Sequence, residues 1–156
     1  MNFLINQYKK VDLFDACPLA VKRAKDRMSG WQNLGYIEEA MMQDFRWHYQ
    51  YSAIFMVYSI GYLDWTELVP FLQRAKEKLD QGIGRITRSS TPESFIFVID
   101  NVLSADEMPV VWKGQRPRTI AALESIFTAA GLIIHKKSGP KPMPPPFMDL
   151  HIWALF

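Results

Sequence analysis

The chain has 156 residues, 18 Lys and Arg against 16 Asp and Glu for a net charge of +2, and 49% hydrophobic residues. Disordered and fibrous classes are excluded, and residues 1–156 are expected to form one globular domain that buries roughly 70% of the surface its unfolded chain exposes. The small charge, with basic residues spread among acidic ones, argues against a nucleic-acid partner.

Cys17 is the single cysteine, so no intrachain disulfide forms and a reduced, cytoplasmic or nuclear setting is expected. The longest apolar stretch falls far short of the ~20 residues of a membrane helix, and the N-terminus lacks the basic region and cleavage site of a signal peptide. Neither export nor membrane anchoring is expected.

In chain order, residues 11–15 alternate apolar and acidic and predict a strand. Residues 18–28 follow with apolar residues at three-to-four spacing, a proline at the start and Gly30 after the end, and predict a helix. Residues 36–45 carry Glu38, Glu39, Ala40 and Met41, which favour helix by propensity, but the segment is short and is expected as a short strand. Residues 51–60 are aromatic and β-branched almost throughout, as in a central strand covered on both faces. Residues 68–79 place Leu68, Phe71, Leu72, Ala75 and Leu79 on one face and charged residues on the other, an amphipathic helix led in by Asp64 to Glu67. Residues 82–94 read as a loop. Residues 94–101 are an apolar strand expected to finish on Asp100 and Asn101.

A polar loop through Trp112, Lys113, Gly114, Gln115 and Arg116 precedes a helix over 119–130, with Thr119 or Arg118 beginning the turn and Gly131 ending it. Residues 132–135 and 150–156 predict two last strands, which as consecutive strands form an antiparallel hairpin. The proline-rich segment 140–147 between them is read as their connection rather than as a polyproline surface. The alternation predicts an α/β fold of Rossmann-like kind, a mostly parallel sheet with helices on both faces.

Ligands of open α/β sheets sit at the carboxyl ends of the strands. Those ends bring forward Asp15, Gln43, Asp44, Tyr58 to Tyr62, Asp100 and Asn101. Asp15 either caps the helix that starts at Pro18 or accepts hydrogen bonds from ribose hydroxyls. His48, His135, His151 and Cys17 show no metal-ligand spacing, so no metal is expected.

The segments Val11-Asp12-Leu13-Phe14-Asp15, Gln43-Asp44-Phe45, Tyr58-Ser59-Ile60-Gly61-Tyr62-Leu63, Phe71-Leu72-Gln73-Arg74-Ala75-Lys76, Val98-Ile99-Asp100-Asn101-Val102 and Ala129-Ala130-Gly131-Leu132 stand in the order seen in class I S-adenosylmethionine-dependent methyltransferases. The chain most resembles the α-N-terminal protein methyltransferases over nearly its whole length. The resemblance implies S-adenosylmethionine as cofactor, with Asp15 at its ribose and Met42 and Gln43 beside its adenine. It further implies Asn101 as the contact to a substrate amine, with Tyr58 or Tyr62 orienting the acceptor.

Three departures accompany it. The family opens this domain with a strand and a glycine-rich loop, and the sequence here starts about where the following helix ends. Tyr62 replaces a family histidine proposed as proton acceptor, and a phenol is a poor general base at neutral pH. The loop 112–116 is cationic where the family is acidic. Gly82-Ile83-Gly84 resembles the absent loop but lacks the strand before and helix after that a phosphate-type loop needs, and reads as a surface insertion.

Two functions follow: an S-adenosylmethionine-dependent methyltransferase, or the larger part of one, acting on a protein amine; or a non-catalytic relative that works in association, as a homodimer or heteromer whose second chain completes the sheet. A third reading is an incomplete form of an active enzyme.

Overall fold

The computed structural model describes residues 7–79, 94–103, 114–141 and 148–156. The chain divides into two compact units, Met1–Arg46 and Trp47–Phe156.

In the first unit, strand β1 (Val11–Asp15), helix α1 (Pro18–Met28) and strand β2 (Leu34–Glu39) form one β-α-β turn, with the strands parallel and Asp15 opposite Glu39. Proline costs nothing at the first position of α1, where its missing N–H has no intrahelical acceptor. Val21 and Met28 are buried while Lys22, Arg23, Lys25 and Arg27 are exposed, so the helix has one inward face. The expected short strand starts earlier than the propensities suggested and ends at Glu39, giving way to a 3-10 turn over Met42–Asp44. Pairing of Glu38 and Glu39 with Phe14 and Asp15 outweighs their helix propensity. Phe14 and Phe45 stack at 3.9 Å between ring centroids, which fastens the chain after the turn to β1.

The second unit holds strand β3 (Ala53–Val57), a 3-10 turn (Ile60–Tyr62), helix α2 (Trp65–Glu77), strand β4 (Phe95–Leu103), the two-residue strand β5 (Arg118–Thr119), helix α3 (Ile120–Ala129) and strands β6 (Ile134–Lys141) and β7 (Asp149–Leu155). The sheet order is β3-β4-β7-β6, with β5 on β4. β3 and β5 run parallel to β4; β7 is antiparallel to both β4 and β6, the expected terminal hairpin. This is the mixed α/β fold the sequence predicts.

Helix α2 begins three residues before its apolar stripe because Asp64 and Glu67 form a reciprocal capping box: Asp64 Oδ1 accepts from Glu67 N at 3.1 Å and Glu67 Oε2 accepts from Asp64 N at 3.2 Å. Thr119 caps α3 through Ala122 N, and Gly131 ends it with φ of 74°, a left-handed conformation that suits glycine. The core lies between these helices and the sheet, where Phe71, Phe127, Trp153 and Leu155 are wholly buried and Phe127 meets Trp153 edge-on at 5.6 Å.

Two expected strands end elsewhere. β3 stops at Val57 because Tyr58 adopts φ of 52°, which no extended strand accommodates. β6 runs on through Lys136, Lys137 and Ser138 to Lys141, all exposed, because an edge strand needs only its main-chain bonds to β7 and not an apolar sequence. Residues Pro140 and Lys141 therefore belong to β6, and the rest of the proline-rich connection lies outside the described residues, as do Trp112, Lys113 and the Gly82-Ile83-Gly84 segment. No helix among the described residues is long and apolar enough to cross a membrane.

Candidate functional site

In the first unit, Asp15 is exposed at the carboxyl end of β1, and Met42 and Gln43 occupy the turn that follows the carboxyl end of the neighbouring parallel strand. The three candidates thus gather at one end of the strand pair. Asp15 Oδ1 accepts from Cys17 N at 2.8 Å, tying the loop into α1, while its second oxygen has no partner among the described residues. The sequence reading of Asp15 as the cap of α1 does not hold, since the N-cap is Cys17 and no side chain caps the helix; Asp15 instead holds the Cys17 amide just before it, and its second oxygen is open to a donor.

In the second unit, the strand β4 continues to Leu103, so Asp100 and Asn101 lie within it and not at its end, as the sequence had suggested. They nevertheless stand past the end of β3, whose last residue Val57 pairs with Ile99. β7 occupies the other edge of β4 as far as Val102, which leaves β5 on the edge that β3 has vacated. Between β3 and β5 the 3-10 turn closes against Asp100. Asn101 is half-buried, and its side-chain amide makes no hydrogen bond among the described residues. Tyr58 and Tyr62 flank the turn at 41% and 52% exposure.

The positive φ of Tyr58 is the one such value among the described non-glycine residues, and for a bulky side chain it stores strain. Its N–H donates to Ile99 O at 2.8 Å and its carbonyl accepts from Gln115 Nε2 at 3.4 Å, so it is held from β4 and from the following loop. Gly114, with φ of 82°, lies against the Tyr62 ring.

Sequence reasoning noted Asp100 only as one of two polar residues at a strand end and Arg118 only as an alternative start of the turn into α3. Asp100 is 4% exposed, and burial pushes its pKa from 3.8 up to about 6 against the opposing pull of the amides of Asn101, Gly61 and Ile60 and of the Arg118 charge. Burial in turn lowers the Arg118 pKa, with Asp100 opposing. An acidic residue inside the apolar run Phe95-Ile96-Phe97-Val98-Ile99 was the available signal. The cationic loop is less so than its sequence implied: Arg116 faces Asp64 at 3.6 Å, and its backbone N donates to Gly61 O at 2.7 Å.

Among the described residues no group of three His, Cys, Asp or Glu side chains is placed to hold a metal ion. A groove of about 610 Å³ runs along α3 between Glu124, Thr128 and Ile134 and is lined by none of the strand-end candidates.

The fold recurs in known methyltransferases. A SAM-dependent methyltransferase of Leishmania major superposes with a TM-score of 0.80 at 22% identity, over 99% of this chain and 58% of that one. The 1,6-didemethyltoxoflavin-N1-methyltransferase of Burkholderia thailandensis gives 0.72 at 11% identity, over 99% and 64% of the two chains. A S-adenosylmethionine-dependent methyltransferase of Clostridium acetobutylicum gives 0.69 at 11%, over 99% and 77%. At these identities the likeness establishes the fold. The chain thus spans 58% of the length of the Leishmania protein. No curated protein matches the sequence. The family model described as AdoMet dependent proline di-methyltransferase matches residues 1–156, and the chain belongs to that family.

Proposed function

We propose that this chain supplies the ribose-side cofactor contacts and the acceptor-facing residues of a methyltransferase that acts on a protein N-terminal amine. The available carboxylate oxygen of Asp15, beside Met42 and Gln43 at the carboxyl ends of two parallel strands, is the observation that carries the reading. Family membership supports S-adenosylmethionine as cofactor and an amine as acceptor, and the sequence resemblance supports the N-terminal protein amine.

S-adenosylmethionine, when bound beside Asp15, Met42 and Gln43, would supply an electrophilic methyl on a sulfonium, the new N–C bond being balanced by loss of the C–S bond with its electron pair to sulfur. What the chain's residues must do is orient a neutral amine and exclude water. Asn101 is the proposed amine contact, its amide being uncommitted among the described residues, with Tyr58 and Tyr62 as the aromatic walls. In this scheme the ammonium gives up its proton to solvent before the site encloses it, so that the amine enters neutral.

β3 pairs with β4 alone among the described residues, and we propose that a further strand, from this protein or a partner, covers its outer edge. The exposed single cysteine supports a cytoplasmic or nuclear setting.

Isothermal titration of the purified chain with S-adenosylhomocysteine, beside Asp15→Ala, tests the reading. Binding that D15A removes supports it. Absence of binding by a folded chain, or binding indifferent to D15A, overturns the assignment of Asp15.

A further inference from the structure

The turn after β3 is held by one pair of side chains and by the backbone around it. Asp100 Oδ2 accepts from Ile60 N at 3.1 Å, and the Gly61 amide also bonds to this carboxylate. Arg118, on β5, donates from Nη1 to Ile60 O at 3.2 Å and from Nη2 to Leu63 O. The remaining groups of the turn are met by backbone: Tyr62 N donates to Ser59 O at 3.2 Å and Arg116 N to Gly61 O at 2.7 Å. Asp100 therefore takes two of the turn's donors and Arg118 two of its acceptors, and a carboxylate and a guanidinium are the side chains with the acceptor and donor counts to do so.

We infer that Asp100 and Arg118 are positioning residues, which lock the backbone of the 59–63 turn and thereby set where Tyr58 and Tyr62 stand beside the acceptor. This rests on the reading of those tyrosines as acceptor walls. Asp100 itself, 4% exposed, has no access to an acceptor. A buried ionised carboxylate and a half-buried guanidinium each carry a desolvation cost that an apolar pair would avoid. The arrangement that repays this is a turn with four of its backbone polar groups, Ile60 N, Gly61 N, Ile60 O and Leu63 O, held by two side chains, next to a tyrosine held at φ of 52°.

The groups facing Asp100 are the Ile60 and Gly61 amides from the turn, the Asn101 amide from β4 and Arg118 from β5. On β7 stands His151, its cross-strand partner, and Asp64 and Arg116 surround Arg118. On protonation Asp100 loses its charge and becomes a donor at one oxygen, so the grip on two amides weakens and the turn loosens.

The test labels the chain with 3-fluorotyrosine and follows the fluorine resonance of Tyr62, identified by its loss in Tyr62→Phe, as pH is taken through 6. The expected result is an inflection near pH 6 in the wild type and in H151Q, its loss in D100N, and in R118K a displaced resonance with the fold intact by circular dichroism. A flat wild-type profile overturns the inference without recourse to any variant, and so does an inflection that survives D100N. In methyl transfer to a synthetic peptide beginning with proline, D100N is expected to lower kcat/KM at least tenfold with S-adenosylhomocysteine affinity unchanged. A wild-type chain that binds no S-adenosylhomocysteine would sink the proposed function and leave the fluorine profile to decide the positioning role.

Discussion

Asp100 and His151 stand directly opposite each other on β4 and β7, on the same face of the sheet, and both are buried. Burial acts on them in opposite senses. It raises the Asp100 pKa from 3.8 to about 6 and lowers that of His151 below 6.5, the nearby Lys137 adding to the latter. His151 Nδ1 has no hydrogen-bond partner among the described residues, which agrees with a neutral ring in the fold.

The two residues therefore tilt stability against pH in opposite directions. The folded state holds the Asp100 proton more tightly than the unfolded chain, so this group's contribution is full below 3.8 and is lost as pH rises through about 6, a change of roughly 3 kcal/mol. The folded state disfavours the His151 proton, so that contribution is present above 6.5 and is lost as pH falls through the depressed folded value. Denaturant titrations across this range should show D100N flattening the decline from 3.8 to 6 and H151Q removing an opposing rise. Equal slopes in wild type and D100N would contradict the buried carboxylate.

Asp15 has two oxygens with separable tasks, one on Cys17 N and one without a partner among the described residues. Asp15→Ala removes one hydrogen bond to the Cys17 amide and should cost about 1 kcal/mol of stability together with cofactor binding. Asp15→Ser keeps an acceptor for the Cys17 amide and discards the second oxygen, so it should restore most of the stability and none of the binding. Binding by D15S near the wild-type level would assign Asp15 to the helix start alone.

Tyr58 carries backbone strain at 41% exposure, so little packing is lost when its ring is removed. Asparagine tolerates a left-handed backbone, and Tyr58→Asn should leave stability unchanged or raise it by about 1 kcal/mol while lowering kcat/KM for a proline-led peptide. A fall in stability of several kcal/mol would show that the ring is held for packing and that the strain serves the fold.

Trp153 is fully buried against Phe127, and its indole nitrogen has no partner among the described residues. Truncation to alanine opens a cavity under α3 and should cost about 3–5 kcal/mol. Trp153→Phe keeps most of the ring and discards an unpaired N–H, and should cost less than half as much by urea denaturation.

Local signals marked α1, from Pro18 to Met28, to the residue, because a proline at the start and an apolar stripe act within a few residues of each other. The same holds for the Gly131 ending of α3; Thr119 was one of two starts the sequence left open, and the closing hairpin was legible in its order but not in the extent of its first strand. The order of elements, and with it the α/β class, was legible from alternating periodicity. Tertiary pairing decided the remainder. Glu38 and Glu39 became strand because β1 was there to pair with them, and the polar stretch to Lys141 became strand because β7 offered its edge. The candidate residues at strand ends were visible as sequence, but the weight of Asp100 was not. Its burial and raised pKa depend on a turn forty positions back and on an arginine carried in on β5, and no local pattern records which distant groups will close around a carboxylate.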